Sequence, residues 1–267
     1  MEKERWFLLG DIHGKPEVIR NFYEKNKEHL QLDTGNNHII LLGDVGANYA
    51  LQGQQDVRFK KALSRYPFTY ICLRGNHEAR AQKVMEMHPE KWETKEKYGG
   101  KIYVEKKFPR IEYLSDGPAV YEFDGYKTFS LPGAYSVDKW YRLNHGWAWF
   151  EDEQLSEEEM NTGRKIKEVE PEIDLVISHT CPISYEPRDL FLPYISQETV
   201  DKRMEQYLGE IEEGLSYKRW VFGHFHADRL YPWKDGRQML MLFNRSVVDL
   251  QKFMHMTEKD GLQDILA

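Results

Sequence analysis

The stretch Gly-Asp-Ile-His-Gly at residues 10–14 follows directly on the apolar run Trp-Phe-Leu-Leu at residues 6–9. The apolar run predicts a buried β-strand, yet neither an aspartate nor a histidine belongs in a core. Residues two apart on an extended segment point to the same side, so Asp11 and His13 face a common space. The flanking glycines allow a sharp turn and leave room for a bound group. The stretch therefore predicts a binding site where the first strand ends.

The first third of the chain repeats a strand, a loop and a helix three times. Strands are predicted at residues 6–9, 38–42 and 68–73, and helices from residue 16, at 55–64 and at 78–87. This βαβαβ pattern with nearly all-apolar strands indicates an α/β protein whose parallel or mixed sheet is covered on both faces. In such sheets ligands collect beyond the carboxyl ends of the strands.

The rest of the chain indicates a second sheet. Residues 119–123 and 126–131 predict a hairpin, residues 173–178 and 219–222 predict strands separated by a helix at 197–213, and residues 238–248 predict the last β segment. The acidic residues 157–159 suit the first turn of another helix. Because no repeat or linker interrupts the chain, we expect a single domain over residues 1–267.

Composition narrows the function. The chain has 37 Lys and Arg against 44 Asp and Glu, a formal charge of -7, which argues against a protein held to nucleic acid mainly by phosphate neutralisation. Its two cysteines, Cys72 and Cys181, form no C-x-x-C pattern, as is typical of a reducing compartment. The start lacks a signal-peptide pattern and no apolar run reaches the length of a bilayer, so we expect a cytoplasmic protein without a membrane partner.

Oxygen and nitrogen donors stand at five predicted strand ends. They are Asp11 and His13, Asp44, Asn76 and His77, His179, and His224 and His226. This donor set contains no thiolate. It is therefore typical of a site for Mn, Fe or Zn rather than of a structural zinc site built from cysteines. A shared carboxylate would hold two ions about 3.5–4 Å apart, and the net positive charge of such a site would attract phosphate. Taken singly, Asp11 could cap a helix, Asn76 could form a turn and His179 could be a core histidine.

Together these residues resemble the ordered motifs of the calcineurin-like metallophosphoesterase superfamily. The matching segments are Gly-Asp-Ile-His at 10–13, Gly-Asp at 43–44, Gly-Asn-His-Glu at 75–78, His179 and Gly-His-Phe-His at 223–226. The resemblance implies a four-layer α-β-β-α sandwich with two mixed sheets and an enzyme that hydrolyses phosphoric esters.

The resemblance also assigns roles to these residues. It implies one divalent ion on Asp11, His13, His226 and Asp44, a second on Asp44, Asn76, His179 and His224, and a hydroxide between the ions that attacks phosphorus. His77 matches the histidine that contacts the phosphate and assists departure of the leaving oxygen.

Three details of these motifs indicate the class of substrate. Residues 73–78 are also similar to the protein Ser/Thr phosphatase branch of the superfamily. That branch, however, has an arginine where this chain has Asn48. The closing Gly-His-x-His motif is more typical of bacterial phosphodiesterase-like members. We therefore favour phosphodiester or nucleotide substrates, and a nucleotide or a nucleic acid is a candidate partner. The alternatives are a phosphomonoesterase or protein Ser/Thr phosphatase and, in another class, a non-catalytic metal-binding scaffold. The sequence predicts no oligomeric state.

Residues 133–149 are rich in aromatic and basic groups. Tyr135, Lys139 and Arg142 are candidates for stacking a base and holding its phosphate, although a packed satellite cluster explains the composition equally well. Arg74 either touches the substrate phosphate or pairs with Glu78 or another carboxylate of the site.

Overall fold

The computed structural model describes residues 4–34, 36–51 and 53–267. Its strands are β1 (Arg5–Leu9), β2 (Asn37–Leu41), β3 (Phe68–Cys72), β4 (Trp92–Lys97), β5 (Gly100–Glu105), β6 (Ile111–Tyr113), β7 (Ala119–Phe123), β8 (Tyr126–Leu131), β9 (Glu172–Ser178), β10 (Ser216–Phe222), β11 (Arg229–Leu230), β12 (Gln238–Met241) and β13 (Val248–Asp249). Its α-helices are α1 (Glu17–Asn26), α2 (Gln54–Leu63), α3 (Ala81–Met87), α4 (Lys139–Asn144), α5 (Glu157–Val169), α6 (Arg203–Gly214) and α7 (Leu250–His255). None of the helices in these ranges combines the length and the apolar character needed to cross a membrane.

The strands form two mixed sheets. One has the order β13-β1-β2-β3-β6-β5-β4 and the other β11-β12-β10-β9-β8-β7. The central strands β1, β2, β3 and β6 run parallel, as do β12, β10, β9 and β8, while the outer strands pair antiparallel. The predicted βαβαβ unit and the predicted hairpin at residues 119–131 are confirmed.

Successive side chains of β1 pack into different buried clusters, which shows how the layers are built. Phe7 and Leu9 join a buried cluster with the apolar faces of α1, α2 and α3, whereas Leu8 joins a cluster that includes Leu175 and Val221 of the second sheet. A third cluster packs the outer face of the second sheet against α5 and α6. Helices, sheet, sheet and helices therefore form four layers, as the resemblance implied, and the parallel strands of both sheets end at one edge.

Two predicted helices begin later than expected. The helix predicted at 78–87 begins at Ala81, because the Asp116 carboxylate accepts the backbone N–H groups of Ala81 and Gln82. The helix predicted at 197–213 begins at Arg203, after an extended backbone at Val200 and a hydrogen bond from Arg203 N–H to the Asp201 carboxylate. Residues 183–199 instead contain three short 3₁₀ helices.

The predicted β segment at 238–248 proved to be two strands in different sheets. Its first part, β12, pairs with β10, and its last residue begins β13, which pairs with β1. The chain then enters α7, where the Asp249 side chain accepts the N–H of Lys252 and caps the helix. The hairpin of β4 and β5 lies between α3 and the predicted hairpin at residues 119–131, and it extends the first sheet.

Candidate metal centre

The structure brings together all eight residues that the sequence placed at strand ends. Asp11, Asp44 and His179 are buried, His13 is partly exposed and His226 is exposed. They follow β1, β2, β3, β9 and β10, so both sheets contribute to one cluster at the shared edge. Three groups of these side chains have ligand atoms close enough to hold an ion: Asp11, His13 and His226; His13, Asp44 and His77; Asp11, Asp44 and His179.

The first half of the cluster contains Asp11, His13 and His226. The Nε2 atoms of the two histidines lie 2.9 Å apart, and Asp11 Oδ2 lies 4.0 Å from His13 Nε2 and 3.5 Å from His226 Nε2. Carboxylate oxygen and imidazole nitrogen thus converge on one small space, which fits a divalent ion of the Mn, Fe or Zn type.

The second half contains Asn76, His179 and His224. Asn76 Oδ1 lies 2.9 Å from His179 Nε2 and 3.1 Å from His224 Nδ1. The other ring nitrogen of His179, Nδ1, lies 2.7 Å from the carbonyl oxygen of Leu42. A hydrogen bond there places the proton on Nδ1 and leaves Nε2 free as a metal ligand.

Asp44 lies between the two halves. Its Oδ2 is 3.9 Å from His13 Nε2, and its Oδ1 is 3.4 Å from His179 Nε2. One carboxylate therefore presents one oxygen to each half, which is the arrangement that a bridging ligand requires.

The backbone at this edge is held in an unusual conformation. His13, Asp44, His224 and His226 have positive φ angles of 44°, 49°, 70° and 55°. Such angles are uncommon for residues other than glycine, and they cluster where function requires a particular side-chain direction. The loop geometry thus turns these four side chains into the cluster.

Two glycines give the ligands room. A Cβ atom at Gly75 would lie 2.1 Å from Asp44 Oδ1, and one at Gly223 would lie 2.2 Å from Asp11 Oδ1. Any larger residue at either position would displace a carboxylate of the centre.

The electrostatics of the cluster favour a bound cation. Burial raises the pKa of Asp11 to about 7, because the carboxylate has lost its water. Burial also acts to raise the pKa of Asp44, but the imidazoles of His179 and His77 hold it well below its usual value. Burial lowers the pKa of His13 to about 4, so its ring is neutral and able to bind a metal. Burial acts to lower the pKa of His179, but the Asp44 carboxylate beside it raises that pKa to about 9, so the positive charge of this ring offsets part of the buried negative charge. Burial lowers the pKa values of His224 and His226, as it does for His13. Two buried carboxylates in such a cluster form a site in which bound cations would compensate charge.

Of the four predicted substrate-binding residues, Tyr135 and Arg142 line cavities beside the centre. Tyr135 lines a cavity of about 440 Å³ that also reaches Asp44 and His224. Arg142 lines a smaller cavity of about 200 Å³ with His13 and His77. The Arg142 side chain is 1% exposed, and its Nη2 has no hydrogen-bond partner among the described residues.

The other two predicted substrate-binding residues, Lys139 and Arg74, bind other groups of the protein. Lys139 Nζ lies 3.9 Å from the ring centroid of Trp149, so its ammonium group is held by a cation–π contact. The buried Arg74 donates to the backbone oxygens of Glu153, Gly75 and Asp116, and its Nε lies 3.8 Å from Asp116 Oδ1. Arg74 is thus bound inside the protein, and its carboxylate neighbour is Asp116 rather than Glu78.

Sequence reasoning missed the residues that support the centre. Asp138 Oδ1 lies 3.7 Å from His77 Nε2, and Ser136 binds the Asn76 amide. The Glu78 carboxylate accepts N–H groups from Gly46 and Gly75, which joins the loops after β2 and β3. Only the Glu78 contact had a sequence signal, since that residue closes the motif at residues 75–78.

Two facing mixed sheets with this donor cluster at their common edge define a class of metal-dependent hydrolases. The family model for calcineurin-like phosphoesterases matches residues 5–228. The chain therefore belongs to this family and is a hydrolase acting on phosphoric ester bonds. The family depends on two metal ions, for which the cluster supplies candidate ligands.

Several solved structures resemble this chain at low sequence identity. One superposes with a TM-score of 0.56 at 11% identity, over 95% of this chain and 97% of the other. A dimetal phosphatase from Danio rerio gives 0.49 at 12% identity, covering 94% of this chain and 93% of its own. An archaeal phosphodiesterase gives 0.38 at 10% identity, covering 93% and 95%. No curated protein matches the chain significantly.

Proposed function

We propose that the chain is a phosphoesterase with a two-metal centre that hydrolyses phosphodiester or nucleotide substrates. The observation that carries the proposal is the position of Asp44, whose Oδ2 lies 3.9 Å from His13 Nε2 and whose Oδ1 lies 3.4 Å from His179 Nε2. A carboxylate shared in this way serves two ions rather than one.

The donor set fits two ions of Mn, Fe or Zn. Asp11, His13 and His226 with Asp44 would hold one, and Asp44 with Asn76, His179 and His224 would hold the other. When bound, the ions supply a water of lowered pKa as nucleophile and positive charge that stabilises the phosphoryl oxygens.

His77 is the residue we assign to the leaving group. Its backbone N–H donates to Asp44 Oδ1 at 2.9 Å, and its ring centroid lies 5.3 Å from that of His13. Asp138 beside Nε2 fixes the ring orientation. Held in this way, the imidazole would protonate or stabilise the departing oxygen of the ester.

Arg142 is the residue we assign to a phosphoryl oxygen. A buried guanidinium nitrogen without a partner is costly unless a ligand satisfies it, and the side chain lines the cavity next to His13 and His77. Position 48 does not compete for this role, because the buried Asn48 accepts a hydrogen bond from Lys60. A single arginine suits the one negative charge of a diester better than the two charges of a monoester, which supports the preference for diesters.

The test is hydrolysis by metal-stripped protein refilled separately with Mn, Zn, Fe or Mg. The paired substrates are p-nitrophenyl phosphate and bis-p-nitrophenyl phosphate, the inactivating variant is Asp44→Asn, and the matched control is Asp174→Asn, which changes a carboxylate bound to Lys218. We expect metal-dependent turnover that favours the diester, survives in the control and is lost in Asp44→Asn. A preference for the monoester would indicate a phosphomonoesterase or protein phosphatase, and stoichiometric metal uptake without turnover would indicate a scaffold.

A further inference from the structure

An apolar groove starts at the candidate metal ligands. The cavity of about 440 Å³ is lined at one end by Asp44, Asn76 and His224. It is also lined by the apolar side chains Leu190, Phe191, Leu192, Ile195 and Val200 and by the charged side chains Asp138, Glu186, Lys202 and Glu205. A phosphoryl group held at the centre therefore has its organic part facing apolar side chains.

The groove continues into a second cavity of about 540 Å³. The two cavities form one surface, because six residues line both of them: Tyr135, Val137, Asp138, Leu192, Ile195 and Val200. The second cavity adds the aromatic side chains Trp140, Tyr141 and Tyr194. Helix α4 with the loop before it and the segment 183–200 therefore enclose the groove from two sides.

Exposed apolar side chains are concentrated along this groove. Among the described residues eleven large hydrophobic side chains are exposed, and six of them line the two cavities: Val137, Trp140, Tyr141, Leu190, Leu192 and Tyr194. A contiguous apolar surface of this kind marks a binding site, whereas apolar residues scattered singly do not.

The charges along the groove disfavour a polyanionic ligand. Lys202 is the one lysine or arginine that lines either cavity in the described part of the chain. Its Nζ donates to Glu186 Oε1 at 2.6 Å and to Gln197 Oε1 at 2.9 Å, and it lies 4.6 Å from the Phe191 ring centroid. A second phosphate in the groove would find no unpaired cation.

We infer that this groove binds an uncharged, apolar alkyl or aromatic group of a phosphate ester whose phosphoryl group lies at the centre. The inference rests on the proposed function and narrows its substrates to small amphiphilic esters, in preference to oligonucleotides, nucleoside polyphosphates and phosphoproteins.

The test measures binding by calorimetry and does not depend on turnover. Methylphosphonate and butylphosphonate are titrated into Mn-loaded protein, since the two ligands share a head group and differ only in chain length. Burying one methylene group contributes about 0.8 kcal/mol, so three fully buried methylenes lower the Kd about 60-fold. If only half of their surface is buried, the Kd falls about eightfold. We expect butylphosphonate to bind at least about eightfold more tightly than methylphosphonate.

A matched pair of variants locates the effect. Leu192 in the groove is 44% exposed, and Leu143, which lines neither cavity, is 43% exposed. Leu192→Asp should bring the ratio of the two Kd values close to unity, whereas Leu143→Asp should leave it unchanged. The ratio is the quantity compared, because any effect of the new carboxylate on the phosphonate head group acts on both ligands and cancels.

Equal Kd values for the two phosphonates in the wild-type protein, or no binding of either, would overturn the inference. Equal loss of the ratio in both variants would also contradict it. If chain length governs binding but no nitrophenyl ester is hydrolysed with any metal, the groove assignment stands and the proposed function fails.

Discussion

Asn76 Nδ2 donates a hydrogen bond to Ser136 Oγ at 2.8 Å, and Ser136 in turn donates to Glu153 Oε2 at 2.5 Å. This relay turns the other end of the amide, Oδ1, toward His179 and His224. A ligand oriented by a hydrogen bond in this way binds metal more tightly than a freely rotating one.

Ser136→Ala should therefore weaken metal binding without unfolding the protein. We expect the Mn²⁺ affinity to fall by about tenfold, because the Asn76 amide loses the hydrogen bond that orients it. Competition with a chelating dye measures the affinity. The control is Ser130→Ala, since Ser130 is equally buried but donates to the Ala119 carbonyl rather than accepting from a candidate metal ligand. Unchanged affinity in Ser136→Ala would show that Asn76 is positioned by other contacts.

Gly223→Ala should damage the other half of the centre. The added Cβ would lie 2.2 Å from Asp11 Oδ1, so the carboxylate must move away from His13 and His226. We expect metal affinity to fall by about tenfold or more, as measured by elemental analysis after dialysis against limiting metal. Gly117→Ala is the control, because its Cβ would meet Glu159 Oε1 at an ordinary 3.6 Å. Full metal retention in Gly223→Ala would argue against Asp11 as a ligand.

Arg142→Met should weaken phosphate binding while metal content stays the same. A hydrogen bond to a charged group is worth about 1.5–3 kcal/mol, so the Kd of inorganic phosphate for the metal-loaded protein should rise by about ten- to hundredfold. Calorimetric titration measures it. Arg164→Met is the control, since Arg164 lies on α5 and pairs with Glu157 and Glu210. An unchanged phosphate Kd would remove Arg142 from the binding site.

Lys60→Met should strongly destabilise the fold. Lys60 Nζ is buried and lies 2.8 Å from Glu105 Oε2 and 3.0 Å from Asn48 Oδ1, so its removal leaves a buried carboxylate without a partner. We expect the free energy of unfolding to fall by about 3–5 kcal/mol in urea denaturation. The double variant Lys60→Met with Glu105→Leu should recover most of this loss. Additive losses in the double variant would mean that the two charges do not depend on each other.

Local sequence patterns predicted the start of α5 correctly but not the start of α3. The capping box at the start of α5, in which Ser156 and Glu159 bind each other's backbone N–H, uses residues three apart and fits the helix start expected from the acidic residues 157–159. The start of α3 depends instead on Asp116, which lies 35 positions from Ala81 in the chain. No local pattern contains that information.

The sequence by itself determined the two-sheet fold and the eight side chains at its shared edge, because apolar runs and the glycines, acids and histidines that end them are local features. Only the tertiary structure decided what surrounds them. The contacts of Ser136 with Asn76 and of Arg74 with Glu153 join residues 60 and 79 positions apart. The apolar groove likewise exists only because residues 183–200 pack beside the loop that precedes α4. Side-chain hydrogen bonds and enclosed surfaces depend on distances across the fold, which a linear pattern does not encode.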